Sequence, residues 1–354
     1  MTFLSAMVGQ RGKGLSIREG VAFWLCLVGL LLFTLAFSLG VGRFFVPLET
    51  VLRILVSHIW PLDQSWGDVD YRVVTLIRMP RVFTAAIVGA GLALAGAALQ
   101  GTFRNPLVEP QNIGVSSGAA FGGVLAILLS DSNQLLVASA FLFGLLAMVI
   151  VYLISRVNGR TPILMLILSG VVTSAFFLAL VSLIKYVADP DDKLPAIVYW
   201  LMGSFARAGY DDMWLLLGVV GFSALVIYLL RFRINLLSLG DEEAQALGVR
   251  VELTRWLILV CVTLITATSV AVAGVVGWVG LVVPHIARMI VGPDNRILLP
   301  ASALIGAVYL VVIDDVARAA TASEIPLGVI TAIIGAPVFA LLLRRNQAKG
   351  WKDD

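Results

Sequence analysis

Long stretches of this chain carry no Asp, Glu, Lys or Arg, and that one feature decides what it can fold into. The runs are Val21–Leu39, Val82–Leu99, Ile113–Ser130, Leu135–Ile154, Ile163–Ile184, Met213–Leu230, Trp256–Ala287, Ile297–Ile313 and Ile325–Leu343. A helix crosses the hydrocarbon core of a bilayer with about 20 apolar residues, within a range of ~17–25. Trp256–Ala287 is too long for one crossing and contains Gly274, Gly277, Gly280 and Pro284. Divided near Gly274, it supplies one full span and one short span broken by Gly and Pro. The expected fold is therefore all-α: a polytopic membrane protein with ten transmembrane helices. A β-barrel would instead show segments of alternating polarity, ~10 residues each. Composition agrees: of 354 residues, 60% are hydrophobic and 13% charged, against about 25% charged in soluble domains.

The expected organisation is an N-terminal segment 1–20, a ten-span domain 21–345 and a tail 346–354. Arg11, Lys13 and Arg18 precede Val21–Leu39, as they would in a signal peptide. A signal h-region holds only about 7–15 residues, so this run is expected to be the first span. Basic residues concentrate in cytoplasmic loops. Placing both termini in the cytoplasm puts the larger share of the 25 Lys and Arg inside, which predicts an N-in, C-in topology. No gap between runs accommodates a soluble domain. In the first gap, PLETVLRILVSHI (47–59) has the pattern of an amphipathic helix at the interface. Within the second span, Gly89, Ala93, Gly96 and Ala97 form a small-residue face suited to close helix packing.

Much chemistry is missing. Cys26 and Cys261 lie inside apolar runs, and two histidines cannot build a multi-histidine metal site. No metal site is expected. The basic residues are scattered, which argues against a nucleic-acid partner. GQRGKG (9–14) lacks both the G-x-x-x-x-G-K-[ST] spacing and the preceding strand of a phosphate loop. No Ser/His/Asp set or carboxylate pair falls within a span. Carriers driven by ion gradients keep ionisable residues in their spans, and these runs have none. Asp314, Asp315 and Arg318 fall at the outer end of the ninth span, where an ion pair is expected. The chain reads as a non-enzyme whose energy comes from another protein.

One loop shows how. After the sixth span the sequence reads INLLSLGDEEAQALGV (234–249). Asp241, Glu242 and Glu243 favour the positive end of a helix dipole, and Gly248 supplies a C-terminal cap. Ala244 and Leu247 share a face at i, i+3. Such a stub suits a partner's groove, although capping alone also fits an ordinary solvated loop helix.

NLLSLGDEEAQALGV resembles the coupling segment of permease subunits in type II ABC importers for ferric siderophores, haem and cobalamin. RMPR (78–81), QGTFRNPLVEPQNIGVSSGA (100–119), YWLMGSF (199–205), GWVGLVVPHIARMIVGPDNRILLP (277–300) and EIPLGVITAIIGAPVF (324–339) are similar to that family in its own order. The resemblance covers about Val21 to Arg345. It implies a permease in the inner membrane, paired with a second copy of itself as a homodimer. Two ATPase subunits would hold ATP and Mg, and a periplasmic or extracellular binding protein would deliver the substrate. This chain would carry no cofactor.

The resemblance also implies roles for residues. Leu236, Leu239, Gly240, Asp241, Glu242, Ala244, Leu247 and Gly248 would couple to the ATPase. Arg78, Arg81 and Arg318 would dock the binding protein, arginine's planar fork being suited to carboxylates; interfacial anchoring is the plainer alternative. Asn105 and Leu107, with Ile163 and Leu164, would form cytoplasmic gates; tight turns are the alternative there, and in the second loop Pro162 and the apolar residues after it stand where some members carry hydroxyls. Leu168, Ser169 and Thr173 on the fifth span would line the pathway, or the hydroxyls would bond between helices. His285 reads as a structural hydrogen-bonding residue. Ferric siderophore is the leading substrate, followed by haem, cobalamin and molybdate-like oxyanions. The rival readings are a stand-alone secondary transporter or channel, which intramembrane charges would favour, and a structural subunit of a respiratory complex, which redox ligands would favour.

Overall fold

The computed structural model describes residues 17–61, 63–156, 161–321 and 323–350. Helices in chain order are α1 (Ile17–Gly40), α2 (Leu48–Ser57), α3 (Asp68–Phe103), α4 (Val115–Leu129), α5 (Asn133–Ser155), α6 (Ile163–Val187), α7 (Lys193–Leu201) and α8 (Tyr210–Leu229). Then come α9 (Arg231–Leu237), α10 (Asp241–Ala246), α11 (Val251–Ala273), α12 (Val279–Val291), α13 (Asn295–Ala319) and α14 (Leu327–Gly350). Seven helices are long and apolar enough to cross a membrane: α1, α3, α5, α6, α8, α11 and α13. Three shorter apolar helices, Val115–Leu129, Val279–Val291 and Leu327–Leu341, complete the ten expected spans. The expected break in Trp256–Ala287 occurs at Gly274, which ends α11 with φ +70. Residues 1–16 and 351–354 lie outside the described residues, and with them GQRGKG, most of the expected N-terminal segment and the end of the expected tail.

Helix α3 is the centre of the bundle. In its most apolar window 83% of residues are buried, against 11% in α1. It attains this burial through the small-residue face read from the sequence. A Cβ added to Gly89 would stand 2.2 Å from the Gly306 carbonyl oxygen of α13, and one on Gly96 1.9 Å from that of Gly280 in α12. Backbones that close exclude any side chain, and dispersion over the contact replaces it.

The start of α3 corrects the expectation. The span was expected from Val82, but the helix begins at Asp68, passes through a π-helical stretch, Val73–Arg78, and continues to Phe103. Arg81 ends the apolar run in sequence without ending the helix, because groups from α13 and the 320–326 connection neutralise it. In the preceding connection, α2 realises the amphipathic pattern: Val51 and Ile54 are buried while Leu52 and Val56 are exposed.

Candidate functional site

At one end of the bundle three arginines converge. Arg81 Nε donates to both carboxylate oxygens of Asp314, at 3.1 and 2.9 Å, and its Nη2 reaches Asp314 Oδ1 at 2.7 Å. The other edge of the same guanidinium donates to Glu324, at 2.8 and 3.0 Å. Arg318 bonds Asp315 and both oxygens of Ser38, and Ser38 Oγ donates to Asp315 Oδ1 at 2.6 Å. Arg78 donates to the backbone carbonyls of Leu39, at 2.8 Å, and Phe44. Helices α1, α3 and α13 and the connection leading into α14 are thus fastened by one charge cluster.

This cluster corrects one expectation. The arginines were expected as outward-facing groups at helix mouths; Arg78, Arg81 and Arg318 are 5–7% exposed and hydrogen-bonded within their own chain, with Arg318 Nε alone left without a hydrogen-bond partner. Asp314 and Asp315 follow the charge-free run Ile297–Ile313, as expected, and are buried in the last turns of α13. The anticipated ion pair of Arg318 with the aspartates is present. A buried charge is tolerable when paired and hydrogen-bonded, and each acid here has a guanidinium partner.

The opposite end carries the loop singled out in the sequence. Asp241–Ala246 form α10, bounded by Gly240 at φ +147 and Gly248 at φ +83. Both glycines adopt backbone conformations that side chains disfavour. The expected Ala244/Leu247 face does not exist: Ala244 is fully buried, whereas Leu247 is 60% and Leu239 59% exposed. Gly240 is buried and Leu236 half-buried, while Glu242 and Gly248 are exposed. The segment is held at both ends. Asn235 bonds Asp294, at 2.7 Å, and Asn295, at 2.8–2.9 Å. Arg255 of α11 forks onto Asp241 at 2.9 and 3.0 Å. Hydrogen bonds from Arg296 hold the Asp294 carboxyl at about 2.

A cavity of about 160 Å³ is lined by Asn105, Leu107, Leu166 and Ile167, among others. It joins the first expected gate segment to the first turn of α6, while Ile163 and Leu164 of the second lie outside its lining. Asn105 Oδ1 accepts the Leu107 N–H at 2.9 Å, closing a tight turn. Leu107 and Leu164 are exposed, and Ile163 packs on the core. Along α6 the expected hydroxyl row faces inward. Ser169 Oγ donates to the Met165 carbonyl of its own helix at 2.6 Å, and Thr173 is 1% exposed against Gly114. The exposed face is instead apolar, with Leu168, Val171, Val172 and Phe176. The sole charge within α6 is Lys185, in its last turn.

Several groups escaped the sequence reading. Asn295 and Glu324 lie within motifs, and Arg255 just after one, but each contacts residues far away in sequence. Glu109 lies in the 104–109 connection, where burial pushes its carboxyl up to about 7, partly offset by the backbone N–H of Trp278 nearby. His285 Nδ1 is buried without a partner. Among the described residues no three His, Cys, Asp or Glu are grouped to hold a metal.

Against known proteins, the FecCD transport family matches residues 30–345. The molybdate import system permease protein MolB of Haemophilus influenzae is 43% identical over 92% of this chain and 96% of its own length. A probable iron chelatin transport system permease protein of Helicobacter pylori is 43% identical over 78% of this chain and 83% of its own. A solved structure of a metal-chelate type ABC transporter in an inward-facing conformation superposes with a TM-score of 0.82, at 42% identity, over 92% of this chain and 99% of that one.

Proposed function

The chain belongs to the FecCD transport family as a permease subunit of an ABC importer, and from that premise we propose that it carries a ferric siderophore into the cytoplasm. Two copies pair around a pathway to which α6 contributes its exposed face. A separate ATPase docks on Leu239, Glu242, Leu247 and Gly248, and an external binding protein docks at the end that carries Arg78, Arg81 and Arg318. The N- and C-termini lie in the cytoplasm of a cell with this chain in its inner membrane.

The observation that carries the substrate class is the face of α6. Leu168, Val171, Val172 and Phe176 offer no charge and no strong donor. Such a wall lets a bulky organic chelate slide without sticking, since each lost polar contact would otherwise hold it. The likeness to MolB supports a second reading, molybdate. A small dianion crossing an apolar wall would leave its charge uncompensated, so the chelate is favoured.

The test is ATP hydrolysis by the assembled transporter in nanodiscs with its binding protein, loaded in turn with ferric ferrichrome, haem, cyanocobalamin or molybdate. Stimulation by the ferric chelate alone is the expected result. Stimulation by molybdate alone overturns the substrate reading, and hydrolysis by the purified permease without an ATPase overturns its role as a non-hydrolysing subunit.

A further inference from the structure

One buried cation lies between the loop at residues 235–249 and residues adjoining both gate segments. The Arg255 side chain is 2% exposed. Its Nη2 holds Asp241, the first residue of α10. Its Nη1 lies 3.6 Å from Glu252 Oε1, and that same oxygen accepts the Thr161 N–H at 3.3 Å, two residues before the start of α6. Its guanidinium carbon stands 5.9 Å from the ring centre of Phe103, the last residue of α3. Phe103 lines the cavity that also contains Asn105 and Leu107.

Three connectors are therefore linked through one side chain: α10 directly, the start of α6 through Glu252, and the 105–107 turn through Phe103. Other contacts anchor each connector singly, as Asn235 does at the foot of the loop, but Arg255 ties them to one another. A helix as short as α10 has no stability of its own, because nucleation costs more than one turn returns. Its flanks are the two glycines at positive φ, around which it would pivot if released. Taking a guanidinium out of water is costly unless its charge is compensated; here Nη2 binds Asp241 and Nη1 faces Glu252, while Nε is buried without a partner. Arginine's planar fork can serve several acceptors at once, which an ammonium on a flexible stem does less well.

We infer that Arg255 is a positioning residue that locks α10 to the 105–107 turn and to the start of α6, so that a push on α10 moves both gate segments instead of being absorbed in the loop. This rests on the reading of α10 as the ATPase dock. Arg255 touches neither ATPase nor substrate; it sets the stiffness of the link between them. The two arms are separable: Glu252 serves the α6 arm and Phe103 the 105–107 arm.

The test uses the assembled transporter in a Cys26→Ser/Cys261→Ser background, with Leu107→Cys or Leu164→Cys as reporter. It reads two quantities, ATP hydrolysis and the change in maleimide labelling of the reporter when ATP is added, so no substrate is needed. With Arg255 intact, both reporters respond to ATP. In Arg255→Met, hydrolysis continues while the response of both reporters falls by roughly ten-fold. Arg255→Lys restores part of the response, because it keeps the charge and loses the fork. Glu252→Gln silences the reporter at 164 and spares the one at 107. The lock is overturned if the reporters are silent with Arg255 intact, if Arg255→Met keeps the response, or if Glu252→Gln affects both reporters alike. Should Arg255→Met fail to assemble, Glu252→Gln decides alone. Cross-linking of Gln245→Cys to the ATPase checks the docking reading separately: without that cross-link the dock falls, whatever the reporters do.

Discussion

Arg81 and Asp314, 233 residues apart in sequence, lie face to face with three donor contacts of 2.7–3.1 Å. The carboxylate is wholly buried, so its charge is compensated by this chain and not by water. Removing one partner strands the other. Asp314→Asn should lower stability by about 3–5 kcal/mol, measured as thermal unfolding in detergent. The double variant Arg81→Met/Asp314→Leu should recover most of that. A loss no larger than a surface substitution produces, about 0.5 kcal/mol, would show that the pair is not what joins α3 to α13.

Glu324 occupies the outer edge of Arg81 with its side chain 25% exposed. A carboxylate arriving on a binding protein would have to displace it. Glu324→Gln frees those two donors and should tighten binding by about 1 kcal/mol, the scale of a partly exposed pair. The gain should shrink in high salt through screening over ~10 Å. Affinity measured on nanodiscs that is unchanged at both ionic strengths would mean that Arg81 takes no part in docking.

Leu247 and Ala244 should separate cleanly. Leu247→Asp, like Leu239→Asp, places a charge on an exposed surface and should abolish ATPase association while the permease stays folded. Ala244→Asp buries an unpaired carboxylate and should prevent folding instead, costing several kcal/mol. Size-exclusion profiles and ATPase pull-down read both. Normal association in Leu239→Asp and Leu247→Asp would move the dock elsewhere.

Orientation follows from charge distribution and is open to direct measurement. Asn133→Cys and Asp191→Cys should react with a membrane-impermeant maleimide from outside, and Gln245→Cys only after the membrane is opened. External labelling at 245 would invert the topology.

The Glu109 carboxyl is raised to about 7 by burial, so folding favours its protonated form. Its contribution is therefore full below the ordinary carboxylate range, near pH 4–5, and is lost as pH rises through 7. Glu109→Gln should flatten the stability profile between pH 5 and 8 and raise stability at pH 8 by an amount on the order of 1–3 kcal/mol, seen as a higher unfolding temperature. An unchanged slope of melting temperature against pH would place this carboxyl in contact with water.

The ten spans were legible because a lipid-facing helix must be apolar over its whole length, and Gly89 and Gly96 were legible because close backbones need small residues. The charge cluster was not. Arg81 looks like a boundary when read along the chain, and only the return of Asp314 shows it to be an interior residue. The inward turn of Ser169 and Thr173 was equally hidden. In a helix with apolar residues all round, periodicity does not say which side meets protein and which meets lipid. Ala244 illustrates the same limit at six residues' length: one turn has too few positions for a face to declare itself. Arg255 carried no local signal beyond being a cation at the edge of an apolar run.

The length of α3 sets a height above the lipid. Its 36 residues, at 1.5 Å each, span about 54 Å, while the hydrocarbon is about 30 Å thick. The surplus lies at the Asp68 end, since Val82–Phe103 alone is enough to cross. On the proposed docking, a delivering protein would settle there on a post about 20 Å tall, with Arg81 at its foot. If that protein is itself tethered to the bilayer by a lipid or a terminal anchor, its linker needs at least about six extended residues to reach, at ~3.3–3.6 Å each. A shorter tether would hold it below the mouth it serves.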